Sequence, residues 1–313
     1  MTKLTKYLAA LLVVSAAAAP ASRANAQTAE PIKIGVGVDA AFVPMYLSKQ
    51  RKLFDKHGVN VELVQFTQGG DAIDAVVAGQ VQMGGSAQPT VLIRAARADV
   101  KVFGIFGQSG TYIKLATKPG ITDPKQIKSI GIVPGSVSEY ATERLFAKFG
   151  IDPKSVQLVK VGPPEAPALL ARGDIDGYFL WEPWPSNGVK QGGKILLTDG
   201  DVGFVDNMWL AADGAWFAGH RPEAKAILDT LAEACAIVRA DPAVGAAAVQ
   251  AEVKMPADVA LGILKDRECV VRDFTSDDME SYDKIADFLV NHKITPAKVD
   301  VGKVIQRGFY AAN

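Results

Sequence analysis

The sequence predicts an α/β fold built from two blocks, each a mainly parallel β-sheet flanked by helices. Residues 32–38 alternate as a strand does, and Pro44 then opens a helix pattern that stops at Gly58. Alternating strand and helix patterns of this length are typical of parallel strands joined by right-handed crossovers. Residues 75–84 resemble residues 168–177, since both read as a helix end, a glycine and a short strand. This similarity favours two such blocks, although ordinary helix-to-strand connections have the same pattern.

The remaining elements follow from the same patterns along the chain. The first block continues with patterns at 59–66 (strand), 71–78 (helix), 81–83 (strand), 89–98 (helix) and 100–106 (strand). The second block has predicted strands at 128–133, 156–161, 174–180 and 195–197, and predicted helices at 138–149 and 166–171. The last third is predicted to be helical, with helices at 222–239, 242–253, 256–264, 276–290 and 299–308.

The N-terminal segment, residues 1–26, is predicted to be a cleaved secretory signal peptide. Two early lysines precede an apolar run at 7–19, and the small-residue site at 24–26 follows, in the order typical of such leaders. The run is shorter than the ~20 residues that cross a bilayer as a helix. We therefore expect an exported, periplasmic protein that starts at Gln27, without a lipid anchor because no cysteine lies near the cut.

The composition argues against several classes of protein. The 313 residues are 49% hydrophobic and 22% charged, as in an ordinary soluble globular protein. Basic and acidic side chains number 34 each, and loss of Lys3, Lys6 and Arg23 with the leader would leave a net charge of −3. Nucleic acids and anionic membranes select a basic excess, so we expect neither as a partner.

The two cysteines, Cys235 and Cys269, are too few for a disulfide scaffold or a four-cysteine metal site. Cys235 shares an apolar helix face with Leu228, Leu231 and Val238, where a buried thiol is the simplest interpretation. Export also permits a disulfide between the two cysteines, for which the sequence supplies no geometry.

No catalytic residue, cofactor or metal site is predicted. His57 and His292 lie near predicted helix C-termini, where an imidazolium is a favourable neighbour of the helix dipole. The sequence contains no G-x-S-x-G nucleophile elbow and no H-E-x-x-H pair. The G-x-G at 35–37 lacks the third glycine of a dinucleotide fingerprint, because position 40 is alanine.

Binding is better supported than catalysis, because polar and aromatic residues follow the predicted strands. In open parallel sheets, ligands lie beyond the carboxyl ends of the strands. A small-molecule cleft needs an apolar wall and a few convergent hydrogen-bonding groups. The candidate ligand-binding residues are Asp39, Phe42, Gln68, Ser86, Gln88, Gln108, Tyr112, Gly135, Ser136, Ser138, Tyr140, Trp181, Glu182, Asp206 and Trp209.

Ser136 and Ser138 are the strongest candidates for an anion contact. They stand at the start of a predicted helix, where free N–H groups and the dipole favour negative charge. Gly135 would let a ligand approach the backbone. The alternative is that one serine is only an N-cap. No arginine follows a predicted strand, so an anion would depend on serines, glutamines and backbone N–H groups, which favours a zwitterion or a neutral planar ligand.

Trp181 and Trp184 flank Glu182 and Pro183, after the last long strand of the second block. A tryptophan face beside a carboxylate can hold an ammonium group or stack on a planar ring. We expect Trp181 and Glu182 to face a ligand, and Trp184 to pack between the two blocks.

Several short motifs together resemble a known family. They are FVPMY at 42–46, LFDKHGVNVE at 53–62, GGDA at 69–72, AGQV at 78–81, GIVPGS at 131–136, and GDID at 173–176 leading into LWEP at 180–183. In this order and spacing the chain resembles the substrate-binding proteins of ABC importers for nitrate, taurine and aliphatic sulfonates, whose relatives also bind pyrimidine-type thiamine precursors. The likeness is best from about 33 to 198.

The resemblance implies a two-lobed, type II periplasmic-binding-protein fold, with two crossing strands as the hinge and ligand in the cleft between the lobes. We expect lobe 1 at 31–116 plus 210–313 and lobe 2 at 117–209, with crossings near 113–117 and 209–212. The family also implies hinge closure, delivery of the solute to a membrane permease and its ATPase, and a monomer.

The resemblance leaves the solute open. A sulfonate such as taurine is our first hypothesis, and a nitrogen heterocycle of pyrimidine type or an aromatic acid is the alternative. A remote alternative is a pyrimidine-synthesising enzyme of the same fold, which uses a cysteine-rich motif that this chain lacks. A sensor subunit that reports a solute to a membrane receptor is a further alternative.

Overall fold

Two five-stranded mixed sheets organise the computed structural model, which describes residues 30–310. The predicted leader at 1–26 lies outside the described residues. The strands of the first sheet, in spatial order, are β2 (Val61–Phe66), β1 (Ile32–Gly37), β3 (Met83–Ala87), β10 (Asp206–Asp213) and β4 (Val100–Ser109). Those of the second are β7 (Gln157–Lys160), β6 (Ser129–Ile132), β8 (Gly177–Trp181), β5 (Ile113–Thr117) and β9 (Lys194–Thr198).

The two sheets are built on the same plan, which confirms the predicted fold class. In the first sheet β1 pairs parallel to β2 and β3, and β10 pairs antiparallel to β3 and β4. In the second sheet β6 pairs parallel to β7 and β8, and β5 pairs antiparallel to β8 and β9. In each sheet the one antiparallel strand, β10 in the first and β5 in the second, is the first strand that forms after the chain crosses from the other sheet.

Helices cover the sheets and supply most of the remaining core. The helices beside the first sheet in the N-terminal part are α1 (Val43–Gln50), α2 (Leu53–Lys56), α3 (Gly69–Val77) and α4 (Gln88–Ala95). The second sheet carries α5 (Val137–Phe149), α6 (Ala166–Arg172) and α7 (Trp184–Lys190). The C-terminal helices are α8 (Gly214–Gly219), α9 (Arg221–Ala240), α10 (Pro242–Val253), α11 (Ala257–Lys265), α12 (Ser276–Asn291) and α13 (Val301–Val304). None of the helices among residues 30–310 is long and apolar enough to span a bilayer.

The last predicted helix, 299–308, is too long. Only the four residues of α13 are helical, and Ile305 then forms a bridge with Val102 of β4. The Gln306 N–H donates to the Val102 carbonyl at 2.8 Å. A hydrogen bond to the sheet edge therefore replaces the next turn of the helix.

Two short segments, 110–112 and 199–205, carry the chain between the sheets. The Asp199 N–H donates to the Ile113 carbonyl at 2.9 Å, and the Gly200 N–H donates to the Gly110 carbonyl at the same distance. The two crossings are therefore bonded to each other as well as to the sheets.

The lobe boundaries predicted at 116/117 and 209/210 stay a prediction. The strand pairing places the whole of β5 in the second sheet and the whole of β10 in the first. The segments predicted as crossings, 113–117 and 209–212, are thus parts of these two strands.

Cys235 and Cys269 form a disulfide, which answers the question that the sequence left open. Their Cα atoms are 5.1 Å apart, and both side chains are buried. The bond ties the middle of α9 to the segment that follows α11. That segment pairs with the edge strand β4, where the Gln108 and Glu268 backbones exchange two hydrogen bonds of 3.0 Å.

Replacing both cysteines by alanine should lower the free energy of unfolding by about 2–4 kcal/mol, because the bond closes a loop of 34 residues in the unfolded chain. Urea unfolding of the variant and of the oxidised protein measures this difference. Reducing agent should destabilise the parent protein and leave the variant unchanged. Equal stability of parent and variant would contradict a structural role for the bond.

Candidate functional site

A cavity lies where the carboxyl ends of the parallel strands of both sheets meet. Its space, including the part open to solvent, is about 370 Å³. The lining residues are Asp39, Ala41, Phe42, Gln68, Gly69, Gly70, Ser86, Ala87, Thr90, Tyr112, Ile113, Ser136, Val137, Trp181, Asp206 and Met208. They come from the loops after strands of both sheets and from the first crossing.

Eight of the predicted binding residues line this cavity: Asp39, Phe42, Gln68, Ser86, Tyr112, Ser136, Trp181 and Asp206. The structure brings these together from distant parts of the sequence, and their role in binding stays a prediction. The loops after β1, β2 and β6 supply four of them, and the carboxyl ends of β3 and β8 supply Ser86 and Trp181, as expected for ligand sites in open α/β sheets.

One side of the cavity is formed by two helix N-termini. Helix α3 begins at Gly69 and helix α5 at Val137, with Ser136 as the N-cap of α5. The Ser136 hydroxyl donates to the Val133 carbonyl at 2.8 Å and accepts from the Ser138 N–H at 3.1 Å. Free N–H groups and the positive ends of two helix dipoles therefore face the same space, which favours negative charge there.

Gly69 is required by the close approach of two chain segments at this end. A Cβ atom at position 69 would lie 2.7 Å from the Gly85 carbonyl oxygen and 2.8 Å from the Ser86 Oγ. Next to it, the Gln68 Oε1 is buried without a hydrogen-bond partner, while the Gln68 Nε2 donates to Asp71 at 3.3 Å. The Gln68 amide thus has unused hydrogen-bonding capacity.

The acidic side of the cavity is formed by Asp39 and Asp206 and adjoins the start of α3, because a Cβ atom at Gly37 would lie 3.1 Å from the Gly69 nitrogen and 3.3 Å from the Asp39 Oδ2. Asp39 is buried, and its Oδ1 accepts from the Ala41 N–H at 2.8 Å and faces the Tyr112 hydroxyl at 3.0 Å. Burial raises the pKa of Asp39 to about 6, although the hydrogen bonds from Ala41 and Tyr112 oppose the shift. The Tyr112 hydroxyl also lies 3.1 Å from the Glu182 carbonyl, so its single proton is offered to two acceptors.

Asp206 is the second carboxylate on this side. It is fully buried, and its Oδ2 accepts from the Arg267 Nη1 at 2.8 Å, while its Oδ1 has no hydrogen-bond partner. Burial raises the pKa of Asp206, against the lowering effect of Arg267. The Arg267 guanidinium lies 4.6 Å from the centre of the Tyr112 ring. Two carboxylates therefore share one guanidinium at this side of the cavity.

Glu182 and Trp209 do not line the cavity. Glu182 is the first residue after β8 and is buried outside the cavity lining. Its carboxylate accepts from the Lys114 Nζ at 2.7 Å and from the Ser186 hydroxyl at 2.9 Å. Trp209 packs edge-on against Tyr282, with ring centres 4.7 Å apart, so it serves the core of the first lobe.

The remaining five predicted residues also lie outside the cavity lining. Each of them contacts neighbouring protein groups. The Gln88 amide bonds the Val205 carbonyl and the Asn207 N–H, and the Gln108 amide bonds Glu268 and Arg272. The Gly135 carbonyl accepts from Arg94, and the Ser138 hydroxyl accepts from the Val133 N–H. Tyr140 packs between the rings of Phe204 and Phe288.

Sequence reasoning missed several lining residues and one arginine that lies behind the lining. Gly69, Gly70 and Thr90 stand in the first turns of α3 and α4, where the positions after a strand could have pointed to them. Arg267 follows a helix rather than a strand, and only the folded chain brings it to Asp206 and Tyr112.

Solved structures share this two-lobed architecture. The periplasmic aliphatic sulphonate binding protein SsuA from Escherichia coli matches with a TM-score of 0.78 at 21% identity, over 88% of this chain and 97% of that chain. The periplasmic nitrate-binding protein NrtA from Synechocystis PCC 6803 matches with a TM-score of 0.72 at 16% identity, over 90% and 87% of the two chains. The fold is that of the periplasmic binding proteins.

The sequence comparison identifies the family of the chain. The model of the NMT1-like family matches residues 25–253, and the chain belongs to this family. Over 309 residues it is 25% identical to a putative aliphatic sulfonates-binding protein of Escherichia coli (strain K12), covering 94% of this chain and 93% of that one.

Two further relatives match shorter regions. The taurine-binding periplasmic protein of Escherichia coli (strain K12) is 27% identical over 179 residues, which is 56% of each chain. An enzyme, the 4-amino-5-hydroxymethyl-2-methylpyrimidine phosphate synthase of Schizosaccharomyces pombe (strain 972 / ATCC 24843), is 30% identical over 139 residues, 43% of this chain and 40% of that one.

Replacing Tyr112 by phenylalanine should raise the pKa of Asp39 above about 6, because the hydroxyl proton that stabilises the carboxylate is lost. The Asp39 side-chain carboxyl carbon can be followed by NMR through a pH titration, with Asp39→Asn identifying the signal. An unchanged pKa would show instead that the Tyr112 proton is donated to the Glu182 carbonyl.

Proposed function

We propose that the protein is the periplasmic solute-binding component of an ABC importer and captures a small organic sulfonate that carries an amino group, such as taurine. The observation that carries this proposal is the make-up of the cavity lining, in which two helix N-termini and two buried carboxylates occur together. The names of the sulfonate- and taurine-binding relatives support the same class of solute.

The helix N-termini suit the sulfonate end of such a solute. None of the lining residues that the structure describes is Lys, Arg or His, so the anion would be held by N–H groups, hydroxyls and the Gln68 amide. The start of α3 at Gly69 and the Ser136 cap of α5 are the principal contacts in this proposal.

The carboxylates suit the amino end. The free Oδ1 of Asp206 is a buried acceptor, and an ammonium group can donate to it and to Asp39. A single guanidinium does not balance both acids, so a ligand cation would add the missing positive charge. Trp181 and Phe42 supply the apolar wall along which the short carbon chain would lie.

The proposal includes delivery of the solute to a membrane permease and its ATPase, with the protein acting as a monomer. The predicted leader at 1–26 would export it to the periplasm. We propose that the lobes, 31–116 plus 210–313 and 117–209, close on the solute about the crossings.

A nitrogen heterocycle is the second candidate solute. The aromatic rings of Phe42, Tyr112 and Trp181 beside Asp39 and Asp206 could hold a flat ring that carries an amino group. The partial likeness to a pyrimidine phosphate synthase supports this candidate. Catalysis is not part of the proposal, since both cysteines of the sequence are joined in the disulfide and no histidine lines the cavity.

Calorimetry with taurine, ethanesulfonate and a 4-aminopyrimidine tests the choice of solute. We expect taurine to bind more tightly than ethanesulfonate, which has the same sulfonate without the amino group. Asp39→Asn should weaken taurine binding about 10- to 100-fold, the size of a charged hydrogen bond, and change ethanesulfonate binding little. Binding of the pyrimidine alone would replace the sulfonate with the second candidate.

The affinity for taurine should fall as the pH is lowered through about 6, because Asp39 then gains a proton and no longer attracts an ammonium group. Above that pH Asp39 is ionised and makes no further contribution to the pH dependence. The Asp39→Asn variant should lose this dependence. A flat profile in the parent protein would remove Asp39 from the amino contact.

Trp181→Ala should weaken binding of every solute that binds, by about tenfold or more, because it removes the apolar wall of the cavity. Trp184→Ala is the matched control, since Trp184 begins α7 and does not line the cavity. Circular dichroism should show both variants folded. Similar losses in the two variants would point to general damage instead of a lost contact.

A further inference from the structure

Asp199 is a buried acid that the proposed binding site does not use. It is the first residue of the crossing 199–205, its side chain is fully buried, and neither of its carboxyl oxygens has a hydrogen-bond partner. The N–H groups of Gly200 and Asp206 lie near enough to lower its pKa somewhat, but not in hydrogen-bonding geometry. A buried carboxylate without partners is costly, so this residue calls for an explanation.

The charges around Asp199 do not balance an ionised carboxylate. Asp206, on β10, is the charged group that acts on it, and the negative charge of Asp206 opposes ionisation of Asp199. The cation of this region, Arg267, is already bonded to the Oδ2 of Asp206. Tyr112 and Asp39, which also lie near Arg267, bring no positive charge.

The outer side of the crossing offers no cation to Asp199 either. Arg144 of α5 donates to the Val202 carbonyl at 3.2 Å, and Lys148 donates to the Asp201 carbonyl. The Asp201 carboxylate accepts from the Thr198 N–H at 2.9 Å. These groups bond the backbone of the crossing, and none of them donates a hydrogen bond to the Asp199 carboxyl.

We propose that Asp199 holds a proton at neutral pH and that its neutral form keeps the hinge in place. Neither of its carboxyl oxygens has a hydrogen-bond partner among residues 30–310, and Arg267 is already bonded to Asp206, so an ionised Asp199 would be a buried charge without compensation. In support, burial raises the pKa of Asp199 to about 8. Loss of the proton would place this charge at the crossing, where the Asp199 N–H donates to the Ile113 carbonyl. The proposal does not depend on which solute is bound.

Thermal unfolding of Asp199→Asn against pH tests the proposal. Below about pH 4 the acid is protonated in both the folded and the unfolded chain, so the variant and the parent should have similar Tm values. Between about 4 and 8 the unfolded chain loses the proton that the folded chain keeps, so the parent should lose stability relative to the variant. At about pH 8 the variant should melt higher by at least about 2–4 °C.

Asp201→Asn is the matched control on the same turn, because the Asp201 carboxyl is exposed and bonds the Thr198 N–H. Its effect on Tm should not grow between about pH 4 and 8 in the way expected for Asp199→Asn. A difference between Asp199→Asn and the parent that is the same at every pH, or a variant that is less stable at about pH 8, would overturn the proposal.

Infrared spectroscopy of the parent protein keeps the proposal testable if Asp199→Asn does not fold. At neutral pH we expect a C=O stretch of a protonated carboxylic acid, which should disappear above about pH 8. Over the same range, hydrogen exchange of the 199–204 amides should speed up by more than the intrinsic chemical rate. Absence of the band at neutral pH would show an ionised Asp199 and overturn the proposal.

Discussion

The ion pair between Asp206 and Arg267 is the interaction on which the architecture of the site depends. Asp206 opens β10, the strand that the first sheet receives from the second crossing, and Arg267 stands on a segment that pairs with β4. The disulfide holds the same segment against α9 two residues further on. Because Arg267 also lies over the Tyr112 ring, one guanidinium joins the C-terminal part of the chain to the first crossing, to the start of β10 and to the cavity.

Arg267 bonds only one carboxyl oxygen of Asp206, and this affects both the cavity and the hinge. Towards the cavity, the unpaired Oδ1 leaves an acidic side that a ligand cation can complete. Towards the hinge, the same negative charge opposes ionisation of Asp199. Breaking a buried pair leaves an uncompensated charge, so the fold has a strong reason to keep both partners.

Much of the fold and part of the site could be predicted from the sequence, because both follow from local patterns. Strand and helix periodicity identified the parallel parts of both sheets, and the carboxyl ends of parallel strands meet at one edge. That rule is why Asp39, Ser86 and Trp181, far apart in the sequence, were predicted together and line one cavity. Glu182, beside Trp181, bonds Lys114 and Ser186 instead, and the first of these contacts comes from a distant strand.

The rest depends on long-range pairing, which local patterns do not carry. Arg267 reaches the site only because its segment pairs with β4, and Tyr140 lies outside the cavity because Phe288 of α12 packs on it. If an ammonium group binds the free Oδ1 of Asp206, its positive charge offsets the negative charge that opposes ionisation of Asp199. Solute and proton would then oppose each other, and by linkage each must weaken the affinity for the other by the same factor.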